Sequence, residues 1–146
     1  MATNYTTQAS RAAYPAKFLH EGAVQNSSVF ALTQALAVND VITMMLLPIG
    51  ALVADVIISS DTALDTNAAS TLAFQVGDQT VATRYIGTKT QGNNVPLVPY
   101  HMDQAGGHQW RVDATSNQLL VKVQAGPATG AATGNLRVTV IYDCDQ

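Results

Sequence analysis

The chain has 146 residues, which is the size of one domain. Only 12% of its residues are charged, and the formal net charge is −3. Seven dispersed cations cannot form the basic face that electrostatic nucleic-acid binding needs, so the composition excludes nucleic acid as the main partner. Cys144 is the only cysteine, which excludes an internal disulfide framework and a multi-cysteine metal cluster.

The N-terminus carries no sign of a secretory signal, because it lacks both a basic start and an apolar run. The longest apolar stretch, residues 44–49, is interrupted by Pro48 and is far shorter than the ~20 residues of a membrane helix. The sequence therefore predicts a soluble protein made in the cytoplasm, with no membrane partner. Asp143 and Asp145 flank Cys144 and disfavour its thiolate, so we expect an inert thiol.

The first segment, residues 1–28, is polar and has no sustained apolar period. Aromatic and cationic residues stand alone within it, which favours an arm that lies on another surface, such as a neighbouring subunit. The alternative is a loosely docked terminus or an ordinary first strand. The candidate contact residues of the arm are Tyr5, Arg11, Tyr14 and Phe18.

Residues 29–146 are predicted to form one domain of short strands separated by turn signals. Residues 33–38 either extend the first strand or form another, and Val29–Val38 is also the best candidate for a helix. Pro96 and Pro99 restrict Val95–Tyr100 to an edge strand or an extended connector. The other predicted strands are Val29–Thr33, Val41–Leu47, Leu52–Ile58, Thr71–Val76, Arg84–Ile86, Gln109–Val112, Leu119–Val123 and Leu136–Tyr142.

Strand spacing sets the predicted fold class. Turn signals recur at roughly the 8–12-residue interval that is typical of β-sandwiches. Leu136, Val138, Val140 and Tyr142 share one face of the last strand, as a half-buried strand requires. The sequence therefore predicts an all-β fold, a jelly-roll-like β-sandwich with an extended N-terminal arm.

Two clusters of polar residues are candidates for metal sites. His101, Asp103 and His108 lie in one segment, but the spacing crosses Gly106 and Gly107 and matches no zinc pattern. The loop Asp61–Asn67 offers oxygen ligands but lacks the spacing of a calcium-binding EF-hand, and Asx turns explain the same residues. No nucleophile elbow or phosphate-binding loop is present in the sequence. We therefore expect no cofactor and no enzymatic activity.

Trp110 is the only tryptophan, and in a sandwich such a residue is usually core or an interface anchor. Sugar stacking is the alternative, with Tyr100 as the second aromatic residue. The low charge favours a symmetric oligomer, such as a trimer, because interfaces are depleted of Lys, Glu and Asp. The apolar run Met44–Ile49 is predicted to be either part of that interface or plain core.

Three stretches in the middle of the chain carry a family resemblance. They are Leu46–Val56, with its Leu47-Pro48-Ile49-Gly50-Ala51 turn; Leu72–Asp78, which ends in Val76-Gly77-Asp78; and Ala82–Ile86, with the pair Arg84-Tyr85. Residues 41–88 in this way resemble small structural proteins of tailed bacteriophages. The resemblance implies a virion protein of β-sandwich type, and some such relatives look like trimeric capsid decoration or cement proteins.

The expected function is that of a homotrimeric decoration protein that binds the lattice of the major capsid protein and stabilises the head. It would be located in the virion, after assembly in the host cytoplasm. One alternative is a structural protein of the tail or neck. Another is a carbohydrate-binding sandwich of a fibre or adhesin, for which Trp110 and Tyr100 are the candidate residues.

Overall fold

The structure, a computed structural model, describes residues 3–5 and 23–144, and these form strands, turns and loops. No helix among them could cross a lipid bilayer. The all-β prediction is confirmed. In chain order the strands are β1 (Thr3–Tyr5), β2 (Ala23–Ala31), β3 (Val41–Leu46), β4 (Leu52–Ser60), β5 (Ala73–Gly77), β6 (Ile86–Thr90), β7 (Tyr100–His101), β8 (Trp110–Arg111), β9 (Gln118–Ala125) and β10 (Asn135–Asp143).

The strands pair into two sheets that share one core. The first sheet has the order β1-β3-β9-β5-β6, and the second has the order β2-β10-β4-β7, with β8 also paired to β4. The described pairs are antiparallel except β1 and β3, which run parallel. The predicted β-sandwich is confirmed, and its jelly-roll character stays a prediction.

The core lies between the sheets because apolar side chains alternate along the long strands. On β10, Leu136, Val138, Val140 and Tyr142 are fully buried, as the period-two pattern predicts. Their partners across the sandwich come from β3, β5 and β9. These partners include Ile42, Met44, Phe74, Val76, Leu119, Val121 and Val123.

Strand β2 begins at Ala23, earlier than the predicted start at Val29, and pairs with β10 along its whole length. The compositional boundary at residue 28 thus falls inside β2. Residues 23–28 are mostly polar and show no apolar alternation, so the sequence did not indicate a strand there. Backbone hydrogen bonds to β10 form without such an alternation. The helix considered for Val29–Val38 is wrong, because β2 ends at Ala31 and the following residues form turns and extended chain.

The predicted strand Arg84–Ile86 is wrong for its first two residues, because β6 runs from Ile86 to Thr90. Arg84 belongs to the turn between β5 and β6, where its N–H donates to the carbonyl of Val81. Its guanidinium pairs with Asp78, and this polar contact holds it in the turn.

The apolar run Met44–Ile49 is core for most of its length. Met44, Met45 and Leu47 are fully buried within the single chain, so they are not available to an interface. Ile49 is 59% exposed and lies in the turn before β4. That turn closes at Gly50, whose φ of +91° is a conformation that side chains disfavour.

Tyr142 is fully buried, and its hydroxyl has no hydrogen-bond partner among the described residues. Burial, with Cys144 nearby, raises the pKa of Tyr142 to about 12. We expect Tyr142→Phe to raise the free energy of unfolding by about 1 kcal/mol, because it removes an unsatisfied polar group without leaving a cavity. Urea titration at pH 7 measures this.

The raised pKa also fixes the pH dependence of this effect. The folded protein favours the neutral phenol, so the effect of Tyr142→Phe on the free energy of unfolding is constant below pH 10. As the pH rises from 10 towards 12, the phenol of the unfolded wild type ionises first, and the wild type loses stability. The phenylalanine variant should lack that alkaline loss. Tyr100→Phe is the control, since Tyr100 is only partly buried. Destabilisation by Tyr142→Phe would show that the Tyr142 hydroxyl has a hydrogen-bond partner in solution.

Candidate assembly surface

Of the four predicted contact residues of the arm, the structure describes one. Tyr5 ends β1, and its register partner is Thr43 of β3. Arg11, Tyr14 and Phe18 lie outside the described residues. The contact role of all four stays a prediction.

The outer face of the first sheet carries a groove beside the β3 edge. Val41, Lys122 and Gln75 form one row across β3, β9 and β5, and Leu120 lies opposite Thr43 in the next row. The groove has a volume of about 370 Å³. Its lining consists of Val41, Leu120 and Lys122 from the strands and Asp78, Gln79, Thr80 and Ala82 from the β5–β6 turn. We call it the first-sheet groove.

The outer face of the second sheet is also weakly charged. Arg137 of β10 lies between Val29 of β2 and Ser59 of β4. One register step further, the hydroxyls of Ser27 and Thr139 are hydrogen bonded at 2.7 Å. This face presents an exposed valine and a polar ladder.

Each outer face carries a cation that makes no ion pair with the described residues. Within the described part of the chain, neither Lys122 nor Arg137 makes an ion pair, whereas Arg84 pairs with Asp78 and Lys89 with Asp103. Both unpaired cations are therefore free to meet an acidic group on another molecule.

The polar residues of the 101–108 segment are engaged separately. Nδ1 of His101 lies 2.6 Å from Oδ2 of Asp55 on β4, and Asp103 pairs with Lys89 at 2.5 Å. Burial opposes ionisation of Asp103, but hydrogen bonds from Lys89, Gln104 and the Gly87 N–H outweigh it and lower its pKa to about 2. Over the described residues no three metal-ligating side chains converge. The structure therefore does not bring His101, Asp103 and His108 together.

The loop Asp61–Asn67 uses its carboxylates to join loops. Asp65 is fully buried and accepts backbone N–H groups from Asn67 and Thr71 on its own loop and from Ala128 and Thr129 on the loop before β10. Asp61 accepts both the N–H and the side-chain amide of Asn135. The Asx-turn interpretation accounts for these residues without a cation.

Trp110 is half-buried and already in contact on one face. The guanidinium of Arg84 lies 3.6 Å from its ring centroid, and its indole N–H donates to Ser116 at 3.2 Å. One face of the ring is therefore closed to a sugar. The interpretation as a packing residue is the better supported one.

The residues Gly77, Asp78 and Arg84, which carry part of the sequence resemblance, build a structural turn. A Cβ at Gly77 would lie 2.1 Å from the carbonyl oxygen of Val81, so only glycine allows this approach. Asp78 is buried and accepts the N–H groups of Thr80 and Val81, both at 2.8 Å. Its other oxygen pairs with Arg84, whose guanidinium reaches Trp110. This turn positions one side of the first-sheet groove.

Sequence reasoning missed the first-sheet groove. Val41 of β3 and Lys122 of β9 are 81 positions apart, and only the pairing of the two strands brings them together. A lone lysine in the apolar stretch Leu119–Val123 was the available signal, because it marks which face of that strand points outward.

The similarities to solved structures are to bacteriophage capsids. A chain of the cyanophage Pam1 capsid asymmetric unit is 30% identical, with 90% of this chain and 91% of that chain covered and a TM-score of 0.77. A chain of the Ralstonia phage GP4 capsid is 22% identical over 99% of both chains, with a TM-score of 0.85. A chain of the acidic stable capsid of Helicobacter pylori phage KHP30 shares the fold at 16% identity and a TM-score of 0.54. No family model and no curated protein matches the sequence.

The fold, the weakly charged faces and these similarities define a structural protein of the phage virion. The chain belongs to the same family as the Pam1 capsid component, because the identity reaches 30% over nine-tenths of both chains. The predicted virion location is thereby confirmed. The predicted class of phage structural protein is confirmed as well.

Proposed function

We propose that this protein is a capsid decoration protein that binds the lattice of the major capsid protein and stabilises the head. The observation that carries the proposal is the 30% identity with a capsid component, which extends across 90% of the chain. Two weakly charged sheet faces and an extended terminal strand suit a module that is added to an existing shell. The protein acts by binding, without catalysis and without a cofactor.

The proposed assembly is a homotrimer. Only 12% of the residues are charged, whereas a typical soluble domain has about 25%. A closed ring of copies covers weakly charged faces and strand edges together. Light scattering should give three times 15.4 kDa. A mass equal to one chain at micromolar concentration would contradict the trimer.

The arm is proposed to contact the major capsid protein or a neighbouring copy. We expect the triple variant Arg11→Ala, Tyr14→Ala, Phe18→Ala to lose shell binding by at least tenfold, because each copy loses three anchors and avidity multiplies the loss. Co-sedimentation with phage heads that lack this protein measures the binding. The matched control replaces two exposed residues, Val98→Ala and His108→Ala, and should bind normally. Full binding by the triple variant would refute the role of the arm.

The first-sheet groove is the proposed contact on the folded domain. Its lining combines the apolar residues Val41, Ala82 and Leu120 with Lys122, so it suits a capsid surface with an apolar residue next to a carboxylate. We expect Lys122→Glu to weaken shell binding about tenfold or more. The new carboxylate would lose its water shell on binding and would lie beside the carboxylate proposed for the capsid surface. The same co-sedimentation assay, run in 0.15 M salt, measures the change.

Arg137→Glu makes the same change of charge on the opposite face and serves as the matched control. It should change binding less than twofold. Equal losses of shell binding for Lys122→Glu and Arg137→Glu would show that the net charge of the protein, and not the first-sheet groove, causes the loss. A loss for Arg137→Glu alone would move the contact to the second sheet.

A further inference from the structure

We propose that strand β1 of one copy pairs with β3 of a neighbouring copy, so that exchanged N-terminal strands join the subunits. The inference deepens the proposed function and rests on its assembly of several copies. The juxtaposition that carries it is the parallel pairing of Thr3–Tyr5 with Val41–Thr43 at the edge of the first sheet.

The edge of β3 requires a cover. Its sequence Val41–Leu46 contains no charged residue and no proline, and four of its six residues are buried. β9 pairs with one side of β3, and β1 takes the other. An uncharged, uncovered edge of this kind would present unpaired N–H and C=O groups to any extended chain. The short strand β1 therefore occupies a site that recognises backbone rather than particular side chains.

The connection between β1 and β2 is long enough to reach another copy. Residues 6–22 span up to about 55 Å when extended, at roughly 3.3 Å per residue. Within one molecule, β2 packs against β3, and packed sheets lie only about 10 Å apart. The connection therefore permits β1 to pair with β3 of its own chain or of a neighbour.

Assembly favours the neighbour. The backbone bonds of a three-residue strand are the same whichever copy supplies it, so the choice is made by proximity. In a trimer the neighbouring edge is held at high effective concentration, and a cyclic exchange leaves every β3 covered. The exchange then joins the copies through the backbone hydrogen bonds between β1 and β3, with residues 6–22 as the tether within each chain.

Cysteine pairs at the register partners Thr3 and Val41 test the exchange. All chains carry Cys144→Ser. Chains with Thr3→Cys and chains with Val41→Cys carry different tags, are co-expressed and are then oxidised. Any disulfide between the two tags joins different copies. The matched control combines Thr3→Cys with Thr88→Cys on β6, the opposite edge of the same sheet, where no disulfide should form.

A disulfide-linked dimer that contains both tags is the expected result. The exchange is overturned if the mixed chains stay uncrosslinked while a chain with both cysteines closes on itself. Absence of any disulfide also overturns it, because Thr3 then does not lie on β3. Shell binding by the same chains under reducing conditions tests the decoration role separately, so failure of one proposal is distinguishable from failure of the other.

Discussion

Replacing Asp65 by asparagine should lower the free energy of unfolding by about 3–5 kcal/mol. The carboxylate accepts the N–H groups of Ala128 at 2.9 Å, Thr129 at 3.0 Å, Thr71 at 3.0 Å and Asn67 at 3.1 Å. Hydrogen bonds to a buried charge contribute about 1.5–3 kcal/mol each, and they are not additive. An amide offers one oxygen, and its NH₂ group faces donors, so at least two buried N–H groups lose their acceptor.

The pH dependence of this effect follows from the ionised state of Asp65. Burial opposes the charge, but the backbone N–H groups of Thr129, Ala128, Asn67 and Thr71 outweigh burial and hold the pKa far below its ordinary value. A lowered pKa stabilises the folded protein above the unfolded-state value, near pH 4, and the contribution is lost as the pH falls further. The difference between wild type and Asp65→Asn should therefore be constant from pH 5 to 7 and shrink below pH 4.

Urea unfolding of both proteins at several pH values measures this difference. Asp61→Asn is the matched control, because Asp61 is exposed and lies on the same loop. It should unfold at nearly the wild-type urea concentration. A loss for Asp65→Asn no larger than that of the control would show that the two loops are held by their other contacts.

Replacing Asp78 by alanine should cost about 3–5 kcal/mol of folding free energy. Asp78 is buried, and the side chain of Arg84 is only 11% exposed, so the change leaves a largely buried guanidinium without its counter-charge. It also removes the acceptor of the Thr80 and Val81 N–H groups. Thermal and urea unfolding measure the loss.

Asp103→Ala is the matched control for Asp78→Ala. Its ion pair with Lys89 is about one-third exposed on both sides, and such surface pairs contribute about 0–1 kcal/mol. Similar losses for the two variants would contradict the structural role of the Asp78 turn. Because this turn lines the first-sheet groove, we also expect Asp78→Ala to weaken shell binding at temperatures where the variant is still folded.

Local sequence patterns predicted the positions of most strands. Val41–Leu47 and Leu52–Ile58 carry enough branched apolar residues to identify a strand without its partner. The alternation along Leu136–Tyr142 identified the face of β10 that is buried. Residues 23–28 failed this test, because their strand is defined by pairing with β10.

The candidate site was less predictable than the fold. The low charge and the isolated anchors indicated adhesion to other proteins, and the capsid similarities agree with that interpretation. The particular surfaces depend on register, since Val41 and Lys122 meet only when β3 pairs with β9. Asp65 looked like an ordinary turn residue, because the N–H groups of Ala128 and Thr129 that it accepts come from a loop 63 and 64 positions away. Asp78 instead accepts N–H groups from Thr80 and Val81 of its own turn, and only the structure shows that it is buried.

The sequence by itself determined the all-β class, the absence of a basic face and the lack of a cysteine framework, because these depend on composition and short-range alternation. Only the tertiary structure decided which loops Asp65 joins, which cations remain unpaired and which edge β1 covers. Those features depend on how the strands and loops pack together. Hydrogen-bond geometry, rather than residue type, decides which of the available polar groups become partners.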